Sequence, residues 1–245
     1  MVDWHQRYQQ QAQWTAQLRA YLTQKAGIQP HHRVVEVGCG GGAVLRDFSA
    51  GSRIFGLDID FFSLEAASAL LPYVSLVCSD AHFLPFSSRS MDFTICHYFL
   101  MWVSGTEVLE EMIRITRRGG AVIAMAEPDY GGRIDYPSSL STIGYYQTQS
   151  LRDQGADPLT GRKIRAWFQA AGLINIESGV MAAQWTKDQP HPQEFDLEWD
   201  VIRTDLEKYC PPDEIKALEK ADRHAWQEGS RVLFVPTFYA IGFVP

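Results

Sequence analysis

The sequence of 245 residues contains no long apolar run. Charged residues, prolines or glycines interrupt every hydrophobic segment before it reaches the ~20 residues that a helix needs to cross a bilayer. The stretch from Met1 to Trp14 is rich in glutamine and has no apolar segment of the kind that a secretory signal requires. These two absences predict a soluble protein that is not exported and has no membrane partner.

Cysteine and positive charge are also scarce. No C-x-x-C pair occurs among the four cysteines, which are Cys39, Cys78, Cys96 and Cys210. Three of them lie in apolar, strand-like segments, so we expect buried and reduced thiols in a cytoplasmic protein. The 22 basic residues are outnumbered by 29 acidic ones, which gives a net charge of −7. Such a chain has no positive field that would attract nucleic acid.

Metal ligands with a recognisable spacing are missing as well. His31 and His32 precede an expected strand at its polar end, and no second pair of ligands accompanies them. Solvated histidines are the simpler interpretation of this pair. We therefore predict no metal site.

The first half of the chain shows a regular alternation of apolar strands and helical patterns. A leading helix is expected over 4–26, because its apolar residues fall roughly on one face. A later helix opens with the capping-box pair Ser104 and Glu107 and ends on Arg117 to Gly120. Strands are expected over 33–37, 53–58, 74–80, 91–99 and 121–127, with helices over 43–48 and 63–71. This alternation predicts a parallel sheet.

The second half of the chain is less regular. Helices are expected over 140–151, 160–172, 195–209 and 213–228, and strands over 174–185 and 232–244, the last interrupted at Pro236. No internal repeat, low-complexity tract or linker divides the chain. We therefore expect a single domain over 1–245, of α/β class and doubly wound.

The segment V34-V-E-V-G-C-G-G-G42 carries the first chemical signal, together with Asp58 twenty residues after Gly38. Glycines at the end of a strand let backbone N–H groups approach a ligand, and an acid at the end of the next strand can accept both ribose hydroxyls. A nucleoside site is predicted. Its kind stays open at this point, because Gly38, Gly40 and Ala43 also satisfy the dinucleotide fingerprint G-x-G-x-x-G/A.

Further segments follow this loop in a fixed order. Glu36 stands two residues before Gly38, and the later segments are S79-D-A-H-F-L-P-F86, S90-M-D-F-T-I-C-H-Y-F99 and L109-E-E-M-I-R-I-T-R-R-G-G-A-V-I123. Together they resemble the class I S-adenosylmethionine-dependent methyltransferases, particularly the small-molecule group described as methyltransferase type 11 or 25. The resemblance runs from about residue 30 to 127. Asp60 departs from the Ser or Thr usual at its position, and Phe61 and Phe62 are bulkier than usual.

The resemblance implies a Rossmann-like, seven-stranded, mostly parallel sheet with an antiparallel last strand, plus helical cap insertions. It implies a leading helix in 1–29, a cofactor-binding half in 30–127, and a substrate-side half in 128–245 with inserted helices at about 138–152 and 195–228. The implied cofactor is S-adenosylmethionine. Its implied contacts are Glu36, Gly38, Cys39, Gly40, Asp58, Ile59, Asp80, Ala81 and His97, with Glu36 supporting the methionyl amino group and Asp80 and Ala81 meeting the adenine.

The segment E127-P-D-Y-G-G-R-I-D-Y136 lies just past the fifth expected strand, where open parallel sheets bind ligands. Glu127, Tyr130 and Arg133 are therefore candidates for contact with the substrate. The alternative is a loop stabilised by its own ion pairs, for example between Arg133 and Asp135. If the acceptor must lose a proton, Glu127, Asp129 and His97 are candidate bases, and the sequence favours none of them.

The expected reaction is methyl transfer to an O, N or C atom of a small-molecule acceptor. One alternative is a nicotinamide-dependent oxidoreductase, but its Tyr-x-x-x-Lys pair occurs only at Tyr21 and Lys25, ahead of the glycine loop. A second alternative is a non-catalytic, nucleoside-binding regulatory protein. The aromatic faces of 4–26 and 195–209 suggest a lid over the site, or else helices that pack on the flank of the sheet. The acceptor and the oligomeric state are not predicted.

Overall fold

The protein is described by a computed structural model over residues 3–48, 53–103, 105–181 and 192–245. Its strands are β1 (Arg33–Val37), β2 (Arg53–Asp58), β3 (Ser75–Cys78), β4 (Met91–Cys96), β5 (Thr116–Pro128), β6 (Ile134–Tyr136), β7 (Ile174–Met181), β8 (Val232–Phe234) and β9 (Thr237–Phe243). Its helices are α1 (Trp4–Trp14), α2 (Ala16–Ala26), α3 (Phe61–Leu70), α4 (Gly105–Ile115), α5 (Ser141–Asp153), α6 (Ile164–Ala170), α7 (Pro192–Leu206) and α8 (Pro212–Gln227).

Seven of these strands form one sheet in the order β3-β2-β1-β4-β5-β9-β7. The first five strands of that order pair in parallel, whereas β9 is antiparallel to both of its neighbours, β5 and β7. The predicted α/β fold with an antiparallel last strand is therefore confirmed. Parallel strands end at the same edge of a sheet, so the loops after β1, β2, β3 and β4 meet at one edge.

The centre of the sheet is buried on both faces, as its continuous apolar strands require. Val35 on β1 packs in one core with residues of α4 and α6, such as Met112 and Phe168. Val34 packs in a second core on the opposite face, which includes Leu22 of α2. Both faces are covered by helices, which is the doubly wound arrangement.

The predicted leading helix is divided into two at Thr15, whose backbone leaves helical geometry at φ −105° and ψ 6°. The Thr15 hydroxyl lies 3.3 Å from the carbonyl oxygens of both Gln11 and Ala12. Such side-chain bonding to the preceding turn competes with regular helical bonding and bends helices. α2 then packs on the sheet through Leu18 and Leu22. A single helix over 4–26 is thus wrong, and the two parts have different neighbours.

The helix expected over 43–48 is also wrong. The chain makes turns after the glycines and then a single 3-10 turn over Leu45–Asp47. So short a segment cannot offset the cost of nucleating an α-helix. Leu45 is nevertheless fully buried, because it packs beneath the loop against the sheet.

Two other predicted elements, the helix that opens at Ser104 and the last strand, differ from the observed ones. α4 ends at Ile115 and β5 begins at Thr116, so the segment up to Gly120 belongs to the strand and not to the helix. The strand expected over 232–244 is two strands, and β8 leaves the large sheet to pair with β6. Ser104 and the end of the strand expected over 174–185 lie outside the described residues.

The inserted helices form a separate small core. Ile143 of α5, Trp199 and Ile202 of α7, and Ile215 of α8 are buried together. A chain of polar contacts runs beside them, in which the Trp199 indole N–H donates to Asp222 at 2.8 Å. Among the helices in the described parts of the chain, none is long and apolar enough to span a membrane.

Candidate cofactor and acceptor site

The glycine loop after β1 is bonded to the end of β2. The backbone nitrogens of Gly38 and Cys39 donate to the carbonyl oxygen of Leu57 at 2.8 and 2.9 Å. Gly38, Gly40 and Gly42 have φ values of +74°, +48° and +74°, a region that favours glycine over residues with a Cβ atom. The loop therefore has its glycines where the turn needs them.

Asp58, the last residue of β2, is held by this loop. Its Oδ2 atom accepts from the backbone nitrogen of Gly40 at 2.7 Å, and its Oδ1 atom accepts from the backbone nitrogen of Asp60 at 2.9 Å. Asp58 is half-buried. Each carboxylate oxygen has a second lone pair, so both oxygens can still accept hydrogen bonds from a diol.

Glu36 lies in β1 beneath the glycine loop and is almost fully buried. Its Oε2 atom has no hydrogen-bond partner among the described residues. Burial raises the pKa of Glu36 well above its usual value, and the positive charge of Arg19 opposes that effect. A buried carboxyl oxygen without a partner is costly unless a donor reaches it, so this position fits the ammonium group of a ligand.

Asp80 lies at the same edge of the sheet, because the backbone nitrogen of Ser79 donates to the carbonyl oxygen of Asp58 at 3.0 Å. Its Oδ1 atom accepts from the backbone nitrogen of His82 at 2.9 Å and lies 2.7 Å from the His82 ring. These bonds lower the pKa of Asp80. Ile59, which follows Asp58, is 72% exposed, whereas Ala81, which follows Asp80, is buried.

His97 follows β4 and is half-buried. Its Nε2 atom lies 2.8 Å from the hydroxyl oxygen of Thr15, at the junction of α1 and α2. Burial, together with the positive charge of Arg19, lowers the pKa of His97 to about 3. The imidazole is therefore neutral near neutral pH, and one of its two nitrogens is engaged with the leading helices.

The outer face of the glycine loop is contacted by aromatic rings. A Cβ atom at Gly40 would lie 3.4 Å from the Tyr8 ring, and one at Gly41 would lie 3.1 Å from His5. Both of these rings belong to α1. A Cβ atom at Gly38 would overlap the Phe99 ring at 2.1 Å. α1 therefore lies directly over the loop that the sequence predicts to bind the cofactor.

Glu127 lies at the end of β5 and is fully buried. Its Oε1 atom accepts from the backbone nitrogens of Phe99 and Leu100, each at 3.1 Å, while its Oε2 atom has no partner among the described residues. Burial raises the pKa of Glu127 to about 7. The carboxyl group thus stabilises the turn after β4 by hydrogen bonds to its backbone.

Asp129 and Arg133, which also lie just past β5, both form ion pairs within the protein. Arg162 donates to both carboxylate oxygens of Asp129, at 2.5 and 2.7 Å. The Nε and Nη2 atoms of Arg133 donate to Asp135 at 2.7 and 3.2 Å, and its Nη1 atom donates to Gln147 at 2.5 Å. All three guanidinium nitrogens of Arg133 are engaged within the protein, which favours the stabilised-loop interpretation for this residue.

Tyr130 differs from these paired residues. Its hydroxyl has no hydrogen-bond partner in the described parts of the chain, and its side chain is half-buried. Burial raises the pKa of Tyr130, with the charges of Arg7 and Arg133 lowering it and those of Glu198 and Asp205 raising it. Tyr130 therefore lies among charged groups from α1, from α7 and from the residue before β6.

Arg7 and Glu198 are two site residues that no sequence motif indicates. Arg7 of α1 is buried, and its Nη1 atom donates to Gln10 at 2.7 Å and to Glu198 of α7. Its guanidinium carbon lies 4.8 Å from the centre of the Trp14 ring. The charge of Arg7 also acts on Tyr98. We call Arg7, Tyr98, Tyr130 and Glu198 the acceptor-side cluster. Only the fold brings these residues together.

Comparison with known proteins agrees with this geometry. Residues 35–124 match the family described as "Methyltransferase domain". No curated protein matches the chain by sequence. The fold is similar to that of phosphoethanolamine N-methyltransferase 2 from Haemonchus contortus in complex with phosphomonomethylethanolamine and S-adenosylhomocysteine, at a TM-score of 0.61 and 15% identity. The alignment covers 96% of this chain but only 56% of that enzyme.

Two further structures have similar folds. Geranyl diphosphate C-methyltransferase from Streptomyces coelicolor aligns at a TM-score of 0.55 and 16% identity, over 94% of this chain and 79% of its own. A proposed methyltransferase from Bacillus halodurans aligns at 0.63 and 15%, over 92% and 98%. Residues 35–124 therefore match a methyltransferase domain by sequence, and the fold of the chain is the one shared by these methyltransferase structures.

Proposed function

We propose that this chain transfers the methyl group of S-adenosylmethionine to an O, N or C atom of a small molecule. The observation that carries the proposal is the convergence of three features at one edge of the sheet. These are the positive-φ glycines, the orphaned carboxyl oxygen of Glu36 and the oriented carboxylate of Asp58. A nucleoside that carries an ammonium group matches all three.

Each feature has a separate role in the proposal. Glu36 holds the methionyl ammonium, Asp58 accepts the ribose hydroxyls, and Ile59, Asp80 and Ala81 border the adenine. The backbones of Gly38, Cys39, Gly40 and His97 approach the methionyl part. The donor supplies an electrophilic methyl group on a sulfonium, and alignment of the two reactants can lower the barrier by ~7 to 11 kcal/mol.

The proposed acceptor site lies over the C-terminal ends of β4 and β5, in the substrate-side half of a single domain. The similar structures from H. contortus and S. coelicolor hold a phosphorylated amine and geranyl diphosphate, which supports a small acceptor here. We assign no general base. Glu127 is enclosed beneath a turn, Asp129 is paired with Arg162, and His97 is engaged with Thr15.

We further propose that α1 and α7 form the lid. α1 contacts the glycine loop through Tyr8 and His5, and it contacts α7 through the Arg7–Glu198 ion pair. The Gln10 side chain also donates to the backbone carbonyl of Glu194 at 3.0 Å. α2 is excluded from the lid, because Leu18 and Leu22 are part of the core of the sheet. Entry of the donor then requires α1 to move away from the loop.

The state of the cysteines bears on the cellular compartment of the protein. All four cysteines are free in the structure, which supports a reducing compartment such as the cytoplasm, although the expectation of buried thiols is wrong for Cys78, which is exposed. The two alternatives, an oxidoreductase and a non-catalytic nucleoside-binding protein, gain no specific support from the geometry of the site.

The proposed function is tested by supplying the full chain with methyl-labelled S-adenosylmethionine and pooled small metabolites. Labelled product should form with the wild type and fall at least tenfold with Asp58→Ala. Asp60→Ala removes the same charge two residues away and serves as the matched control. Donor binding without any labelled product would favour the non-catalytic alternative, whereas reduction of a nicotinamide cofactor by the same pools would favour the oxidoreductase.

A further inference from the structure

Arg7 has an unusual pattern of contacts for a buried arginine in this protein. Of the other arginines with buried side chains, Arg133 and Arg231 use all three guanidinium nitrogens in hydrogen bonds, and Arg19 uses Nε and Nη1. Arg7 uses only Nη1, which donates to Gln10 and to Glu198. Within the described residues, its Nε and Nη2 atoms donate to nothing. Two parallel N–H donors on one edge of a guanidinium match the two oxygens of a carboxylate.

The acids around Arg7 are already engaged. Glu198 accepts from Arg7, and Asp205 accepts from Gln147 at 3.1 Å and from Ser150 at 2.8 Å. Asp129 accepts two hydrogen bonds from Arg162. Near α1 and α7, the groups without a partner among the described residues are therefore the free edge of Arg7 and the hydroxyl of Tyr130, whereas the unpartnered Oε2 atom of Glu127 is enclosed beneath the turn after β4. A surplus of donors is suited to a ligand that brings acceptor oxygens.

The unpaired donors of Arg7 lie close to the proposed cofactor site. Tyr8 and His5, its neighbours on α1, contact the glycine loop, whereas Arg7 extends to Glu198 on α7. Tyr98 follows β4 directly and has a left-handed φ of 51°. A residue of this size in that region is strained, and such strain is concentrated at functional sites. Through Arg7 and its neighbours on α1, the acceptor-side cluster thus lies next to the donor loop.

We propose that Arg7, assisted by Tyr130, binds a carboxylate of the methyl acceptor, so that the substrate class is small carboxylic acids. This inference rests on the proposed function and names the acceptor side of the same site. Glu198 holds the guanidinium by Nη1 and leaves its other edge to the ligand. A carboxylate carries a single negative charge, and it therefore meets less repulsion from Glu198 than a phosphate dianion does.

The test uses the full chain saturated with S-adenosylhomocysteine. Benzoate, phenylacetate and hexanoate are titrated calorimetrically, each beside its primary amide. The amide has the same shape but no charge. The wild type should bind the acids at least tenfold more tightly than the amides, which corresponds to about 1.4 kcal/mol. Inorganic phosphate is titrated in parallel, and tighter binding of phosphate than of every acid would overturn the assignment.

Arg7→Lys keeps the positive charge and an ion pair with Glu198 but lacks the paired N–H edge. The preference for acids should disappear in this variant. Arg203→Lys is the matched control, because Arg203 lies on α7 and bonds Asp200 and Glu219; the preference should persist there. If no acid binds, or if the preference survives in Arg7→Lys, the assignment is wrong. Failure of S-adenosylhomocysteine itself to bind would instead contradict the proposed function.

Discussion

The backbone nitrogen of Gly40 donates a 2.7 Å hydrogen bond to the Oδ2 atom of Asp58. This bond joins the loop after β1 to the end of β2, and it orients the carboxylate before any ligand arrives. A carboxylate held in this way does not lose side-chain entropy when it binds a diol. The relationship gives Asp58 two roles, one in the loop and one toward the donor.

Asp58→Ala should weaken the binding of S-adenosylhomocysteine by at least ~1.5 kcal/mol, about the value of one hydrogen bond to a charged group. Calorimetry on the folded variant measures this change. Asp60→Ala should cost about 1 kcal/mol of stability, because Asp60 caps α3, and should leave donor affinity unchanged. Equal affinities in wild type and Asp58→Ala would place the ribose elsewhere.

Glu127 makes stability depend on pH. Its pKa is raised to about 7 from the usual 4.5, so between these pH values the unfolded chain has lost a proton that the folded protein retains. The wild type therefore loses stability as pH rises through this window, and the loss is complete above pH 7. Glu127→Gln cannot ionise, so its stability relative to the wild type should increase by about 3 kcal/mol across the window.

Urea unfolding of both proteins at several pH values measures that difference. A difference that stays flat from acidic to neutral pH would show that Glu127 has an ordinary pKa.

Substitution of Arg133 should affect mainly stability, whereas substitution of Tyr130 should affect mainly turnover. Arg133→Ala should lower the free energy of unfolding by about 2 to 3 kcal/mol, because it leaves the Oε1 atom of Gln147 without its donor and Asp135 with only Arg231. Tyr130→Phe removes only a hydroxyl that has no partner in the described structure. It should lower turnover while donor affinity stays within about twofold, or ~0.4 kcal/mol. Denaturation and steady-state kinetics would contradict this division if Tyr130→Phe unfolded like Arg133→Ala.

The lid predicts a difference between two truncations. Removing residues 1–14 deletes α1 but keeps Leu18 and Leu22, so the sheet should stay folded while donor affinity falls at least tenfold. Removing residues 1–26 should also destabilise the core. In the intact protein, bound donor should slow amide exchange in α1 and α7 more than in α8. If bound donor does not change amide exchange in α1 and α7, or if the chain without α1 binds the donor as tightly as the wild type, then α1 only packs on the protein and is not a lid.

The cofactor-side features could be predicted because each depends on a short segment. The glycine loop, Glu36 and Asp58 belong to two successive strands, and the alternation of strands and helices predicts that such strands are parallel. The Arg7–Glu198 pair could not be predicted, since its members are 191 positions apart in the sequence and no local pattern relates them. The break at Thr15 was missed because its side chain bonds both to its own helix and to His97.

The pairing of β8 with β6 was missed for the same reason as the ion pair. Pro236 correctly indicated an interruption, but the interruption is a change of sheet. Position in the sequence alone does not show whether Arg133 has donors free for a ligand. It lies where a ligand-binding arginine is expected, yet all of its donors are used by Asp135 and Gln147.

The central claim is tested most directly by titrating the full chain with S-adenosylhomocysteine in a calorimeter, with NAD and NADP as the matched nucleotides. The geometry of Glu36, Asp58 and the glycine loop predicts one binding site per chain for S-adenosylhomocysteine and poor binding of both nicotinamide cofactors. Tight binding of NAD or NADP, together with no heat from S-adenosylhomocysteine, would contradict the account.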